Sequence, residues 1–316
     1  MNSEIAILGL TASKDLVSEI CEVLDTKEFP CTVRHFADGE IMVEIGASVR
    51  GKHVYIVQST CNPVNNNLME VLICIDACKR ESAKEITVVI PYFGYSRQDR
   101  KALPRQPITA KLVADLLQTA GAQRVVTVDL HAPQIQGFFD IPIDDMTAIP
   151  MISQYFRTKH IDDVCVVAPD HGGATRARKV CEGLNAPLAI IDKRRNKPNV
   201  AEAMNIIGDV KDKHVIIVDD MCDTAGTLVA GIDLLKSHGA KDIYFACTHA
   251  ILSGPAIERL SNAPIKEVII TNTVPLAEEK KISKITVLSV AHLLAKTIQH
   301  IEEAKSVSIV FDMFND

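Results

Sequence analysis

This sequence predicts an α/β protein built as two related halves, each a mostly parallel sheet flanked by helices. Three observations predict it. Short apolar runs alternate with helical patterns along all 316 residues. Several runs are continuously apolar rather than alternating, which is the mark of strands covered on both faces. The order apolar strand, Pro, small loop, Arg also occurs twice, in ITVVIPYFGYSRQDR (86–100) and VCVVAPDHGGATRAR (164–178), and RVVTVDLH (124–131) parallels VIIVDDMC (215–222) in the same order.

In chain order the strands read as IAILGL (5–10), VYIVQS (54–59), ITVVIPY (86–92), RVVTVDL (124–130), VCVVAPD (164–170), LAIID (188–192), VIIVDD (215–220), IYFACT (243–248) and VIITNT (268–273). Helices suit the segments between. Residues 66–80 place Leu68, Leu72, Ile75 and Cys78 near one face. Residues 108–120 begin after Pro107 and are stopped by Gly121. Residues 225–237 end before Gly239, and Lys236 sits in the last turn, where the helix dipole favours a cation. Strand–helix–strand order repeated this way implies right-handed crossovers. IDDMTAIP breaks the pattern, so the seam falls there, between domains 1–146 and 147–316. SVSIVF (306–311), β-branched and alternating, reads as one last strand.

Composition narrows the function. With 47% hydrophobic residues the chain can fill two cores. A net charge of -6 gives no footprint for nucleic acid, and an anionic substrate must be held by local groups. Nine cysteines without a Cys-x-x-Cys pair read as reduced thiols of a cytoplasmic protein, and Cys74 and Cys78 as core packing rather than metal ligands. MNSEIAILGL is neither a signal peptide nor a span, and no apolar stretch reaches the ~18 residues a membrane helix needs.

The chemistry gathers at strand ends, where open parallel sheets bind ligands. Asp219 and Asp220 end one strand; Asp170, His171, Gly172 and Gly173 follow another; Asp129 and His131, Asp192 to Arg195, and Tyr92 to Arg100 follow others. In Asp223-Thr224-Ala225-Gly226-Thr227 small residues let backbone N–H groups turn inward at a helix start, and the threonines add hydroxyl donors. That is a cradle for a phosphate monoester. Asp219 and Asp220 are placed to accept from sugar hydroxyls or to hold Mg²⁺ through water. Phosphate at one end and diol acceptors beside it describe a phosphorylated pentose. The plainer reading, an N-cap and a solvated turn, needs one acid rather than three. A Walker A loop and a Gly-x-Gly-x-x-Gly turn are absent, and Met221 stands where an aspartyl phosphatase would carry its second Asp.

VDDMCDTAGT resembles the PRPP-binding loop of the type I phosphoribosyltransferase fold. With FADGE (36–40), PYFGYSRQDRK (91–101), DLHAPQIQGFF (129–139), PDHGG (169–173), DKRR (192–195), SGPA (253–256) and the SVS-F tail in family order, the chain resembles ribose-phosphate diphosphokinases (PRPP synthetases) of the phosphate-regulated class nearly end to end. The resemblance implies two phosphoribosyltransferase-like domains, the first on the ATP side, with the last ~15 residues free to pack on the first domain. It implies transfer of the β,γ-diphosphoryl group of Mg-ATP to the 1-hydroxyl of ribose 5-phosphate, giving AMP and PRPP for nucleotide biosynthesis.

By the same resemblance, Asp219, Asp220, Asp223, Thr224, Ala225, Gly226 and Thr227 hold ribose 5-phosphate, together with Arg195. Phe36, Asp38, Glu40, Arg97 and Gln98 meet ATP. His131 and Asp170 match the Mg²⁺ positions. Lys193 and Arg195 form the transition-state clamp, and His171 with Gly172 and Gly173 the diphosphate loop. Ser48, Arg50, Arg105, Ser306 and Ser308 are candidates for a site that binds inorganic phosphate or ADP between subunits of a homohexamer. Residues 97–106 and 194–202 suit loops that close over ATP. The chain departs from the family at Leu103-Pro104, which stiffens one loop, and at Cys222, which invites sensitivity to oxidation. Two alternatives compete with this reading. A PRPP-consuming phosphoribosyltransferase would share 215–227 but need neither FADGE nor DKRR. A catalytically silent regulatory subunit would show broken site motifs, and these are intact.

Overall fold

The computed structural model describes residues 5–194 and 203–314, without the side chains of residues 193, 194, 203, 204 and 312. The first apolar run becomes β1 (Ile5–Gly9), followed by α1 (Lys14–Val23), whose buried face is Leu16, Val17, Ile20 and Cys21 at helical spacing. An antiparallel hairpin comes next, β2 (Cys31–His35) with β3 (Ile41–Ile45), in register from Cys31 opposite Ile45 to His35 opposite Ile41. Then come β4 (His53–Val57), α2 (Val64–Arg80), β5 (Glu85–Ile90), α3 (Thr109–Ala120), β6 (Arg124–Val128) and β7 (Ile143–Met146). The sheet order is β1-β4-β5-β6-β7, and every pairing in it is parallel. Val54, Ile56, Val88 and Ile90 share one core with Val71 and Ile75 of α2 and Val113 and Leu117 of α3. Each such fully buried side chain contributes about 1.5–3 kcal/mol.

The second sheet is built from α4 (Ile149–Thr158), β8 (Val164–Ala168), α5 (Ala174–Leu184), β9 (Leu188–Arg194), β10 (Ala203–Ile207), β11 (His214–Cys222), α6 (Gly226–Ser237), β12 (Ile243–Ala250), α7 (Ala256–Asn262), β13 (Glu267–Thr271) and β14 (Ile285–Leu288). Its order is β10-β9-β8-β11-β12-β13-β14, parallel except where β10 turns back on β9. The chain ends with α8 (Ala291–Glu302) and a 3-10 stretch, Val307–Phe314.

Two compact units result. One holds residues 1–147, 273–275 and 289–310; the other holds 148–272, 276–288 and 311–316. The paired sequence echoes fall on neighbouring strands, β5 beside β6 in one sheet and β8 beside β11 in the other.

The strand expected at 306–311 is not there. Val310 and Phe314 are buried, four apart, while Ile309 is exposed. That is a helical period, and the Ser306 and Ser308 hydroxyls are tied to each other at 2.7 Å, with the Ser306 carbonyl against His300 Nδ1. No helix is long and apolar enough to cross a membrane among the described residues.

Candidate active site

β11 does not stop at its two acids. It runs through Asp219 and Asp220 to Cys222, pairing Met221 with His249 and Cys222 with Ala250 of β12. Alternation then turns Asp220 into the protein, where it is 4% exposed, and leaves Asp219 at the surface of the site. One guanidinium serves both: Arg176 Nη1 of α5 lies 3.5 Å from Asp219 Oδ1 and 3.4 Å from Asp220 Oδ1. Burial pushes the Asp219 carboxyl up to about 8; the charge of Asp220 adds to the rise and Arg176 opposes it. A carboxyl raised in this way gives up its proton less readily than an ordinary aspartate. Sequence reasoning missed Arg176, although the residue stands in the quoted echo at 164–178. Only the crossing from β8 through α5 brings it beside β11.

The loop after β11 is held from one side. Leu252 N donates to the Cys222 carbonyl at 3.0 Å, Ser253 N to the Asp223 carbonyl at 2.9 Å, and Arg259 Nη1 to the Thr224 carbonyl at 2.8 Å. Val229 N takes the Ala225 carbonyl at 3.0 Å as α6 begins. In a trans peptide the next residue's N–H points opposite its carbonyl, so the amides of this loop face away from those anchors. Ala225, the residue before α6, is left-handed at φ 57. A helix start entered in this way can hold an anion. Cys222 does not fit the oxidation-sensitive thiol of the sequence reading. It is buried, and burial, then the charges of Asp219 and Asp223, push its thiol up to about 12.

On the same sheet, Asp170 and His171 are exposed in the loop after β8. Asp170 Oδ1 accepts from Gly173 N at 3.0 Å, and His171 Nε2 lies 3.1 Å from Asp192 Oδ1 at the end of β9. Lys193 continues β9, its backbone opposite Met204, but its side chain lies outside the described residues, as do Arg195 and the rest of the expected loop to 202.

The first unit carries the other candidates. Phe36, Asp38 and Glu40 sit in the loop joining β2 to β3, with Phe36 N donating to the Glu40 carbonyl at 2.8 Å and Glu40 N to Asp38 Oδ1 at 3.1 Å. Phe36 is 53% exposed, an aromatic face open to solvent. Arg97 and Gln98 line a cavity of about 430 Å³ with Asn62 to Asn66, Tyr92 and Tyr95. Beyond them, Gln106 N donates to the Leu103 carbonyl at 3.4 Å and Arg105 is left-handed at φ 68, a turn that suits Pro104 at its second position. His131 is exposed beyond β6. Arg50 N donates to Ser48 Oγ at 3.4 Å, its guanidinium reaches Ser82, and Ser306 and Ser308 pair with each other.

For a metal, no group of three or more His, Cys, Asp or Glu side chains converges among the described residues. Mg²⁺ takes few protein ligands and completes its shell with water and substrate phosphate. The exposed Asp170 carboxylate is a hard donor of that kind; His131 is a softer one.

Comparison with known proteins bears on the family of the chain. Residues 5–121 match the family model for the N-terminal domain of ribose phosphate pyrophosphokinase, and residues 192–312 match the phosphoribosyl synthetase-associated domain. The chain is 64% identical over 297 residues to a ribose-phosphate pyrophosphokinase of Caldanaerobacter subterraneus, covering 94% of each chain. It is 56% identical over 311 residues to that of Oceanobacillus iheyensis, covering 98% of each. The crystal structure of phosphoribosylpyrophosphate synthetase from Mycobacterium smegmatis superposes with a TM-score of 0.91 at 45% identity, covering 96% of this chain and all of that one.

Proposed function

This chain belongs to the ribose-phosphate pyrophosphokinase family, and from that premise we propose which residues carry its reaction. It is an enzyme that transfers the β,γ-diphosphoryl group of ATP to the 1-hydroxyl of ribose 5-phosphate, yielding AMP and PRPP for nucleotide biosynthesis. The observation that carries the residue assignment is the pairing of an anchored anion loop with two acids on one strand end.

The 5-phosphate lies on the amides and hydroxyls of residues 223–227, stabilised by the partial positive charge of the α6 start. Asp219 and Asp220 accept from the ring hydroxyls, and those donors draw the acidic pair to its charged form. The sugar is thereby fixed with its 1-hydroxyl free to attack. Phe36 packs on adenine, Asp38 and Glu40 accept from its amino group, and Arg97 and Gln98 meet the rest of ATP. The 1-hydroxyl oxygen bonds to Pβ and gives up its proton to solvent as the Pα–O–Pβ bridge breaks at Pβ, and AMP leaves with the bridging oxygen. Lys193 and Arg195 bear the spreading negative charge, the main help such a transfer needs from protein. Asp170 and His131 would each offer a donor to Mg²⁺, which would neutralise phosphate charge when bound. His171 and the glycines beside it receive the diphosphate.

The protein is placed in the cytoplasm, where ATP and free thiols prevail. Inorganic phosphate and ADP are assigned as regulators acting through Ser48, Arg50, Arg105, Ser306 and Ser308, and a homohexamer as the assembly. An exposed apolar stripe, Leu112 and Leu116 on α3 with Ile108 at its N-cap, supports self-association. A ³¹P NMR assay with Mg-ATP, ribose 5-phosphate and phosphate tests the activity: AMP and PRPP signals are expected, and nucleotide binding without turnover would refute it. Omitting Mg²⁺ should abolish the signals.

A further inference from the structure

We propose that Arg259 is a positioning residue of the ribose 5-phosphate subsite, fixing the phosphate loop from its outer side. This rests on the assignment of residues 223–227 to the 5-phosphate. Of the four consecutive carbonyls from Cys222 to Ala225, three are held by main-chain donors. The Thr224 carbonyl alone in that run is held by a side chain, the Arg259 guanidinium, which reaches across from α7 at 2.8 Å. That bond sets the plane of the Thr224–Ala225 peptide. The bond thereby holds the peptide that leads into Ala225, the residue that adopts the left-handed conformation, φ 57. That conformation is strained for a residue with a Cβ, and the bond from Arg259 opposes the strain.

Gly226 completes the arrangement. A Cβ at this position would stand 3.2 Å from Arg259 Nη1, so the lack of a side chain lets the guanidinium lie against the loop. Arg259 thus brings a permanent cation to the rim of an anion site in an acidic chain. Its exposure means that removing it opens no core cavity.

Steady-state kinetics of Arg259→Met, Arg259→Lys and Thr227→Val test this, with thermal unfolding as a check on the fold. Arg259→Met should raise KM for ribose 5-phosphate ~10-fold or more, as loss of a charge-assisted bond does, while kcat and KM for ATP change less than about twofold. Arg259→Lys should recover part of the loss, and added guanidinium ion should lower the raised KM of Arg259→Met. If Thr227→Val raises that KM and Arg259→Met does not, the inference about Arg259 is overturned and the loop assignment stands. If neither variant moves it, the loop assignment falls and the inference with it. A loss of kcat with both KM values unchanged would also overturn it.

Discussion

His53 Nδ1 lies 2.6 Å from Glu302 Oε1, so the first residue of β4 grips the last residue of α8. The same carboxylate oxygen accepts from the hydroxyl of Tyr55, a side chain with no exposure, at 2.7 Å. Glu302→Ala strands that buried hydroxyl and should cost about 1–3 kcal/mol. Glu302→Gln keeps an acceptor and should recover part of it. Scanning calorimetry reads both; an unchanged transition in the alanine variant would remove the clasp from the stabilising contacts.

Asp219 makes stability depend on pH. Its folded pKa is raised above the ordinary carboxylate value, so the folded chain keeps a proton the unfolded chain has lost. The favourable contribution is full below the ordinary carboxylate range and disappears as pH climbs towards about 8. Asp219→Asn carries no such charge. Urea unfolding of the free protein at pH 5.5 and 8.5 should show a smaller drop for the variant than for the parent. The variant should also bind ribose 5-phosphate less tightly.

Phe36 separates binding from folding. It is half exposed on a hairpin loop, so Phe36→Ala should change stability by less than about 0.5 kcal/mol. Loss of an aromatic surface for adenine should raise KM for ATP several-fold, on the order of 10-fold. A KM equal to that of the parent would place the base elsewhere.

Lys193→Ala should keep ribose 5-phosphate and nucleotide binding by calorimetry yet lose about 100-fold or more in kcat, as removal of a transition-state contact does. Full turnover in this variant would displace Lys193 from the clamp.

Cys222 should resist thiol reagents. Its burial and raised pKa leave almost no thiolate at pH 7.5. Peptide mapping after iodoacetamide treatment of the native protein should find Cys222 unmodified; early alkylation there, with activity loss, would reinstate it as a reactive site.

What the sequence could reveal follows from where the constraint is local. The continuous runs at 54–57, 164–168 and 215–218 read as covered strands because two helical layers demand apolar residues on both faces. β2 and β3 are half exposed, so their pattern looks like loop. α1 and α8 were overlooked although Leu16, Val17 and Ile20, and Leu294 and Ile298, carry helical spacing. The acids and the small loop of 219–227 were legible as a motif. Arg176 and Arg259, which hold them, were not, since their partners lie 35 or more residues away in sequence.

α8 belongs to the first unit although it comes after every strand of the second sheet. Leu293, Leu294 and Ile298 are wholly buried, and Ser289 reaches back to Glu19. During synthesis, then, the amino-terminal layer waits on the ribosome with an open flank while its successor emerges and can fold. The first unit can therefore complete its fold only after nearly the whole chain has been made.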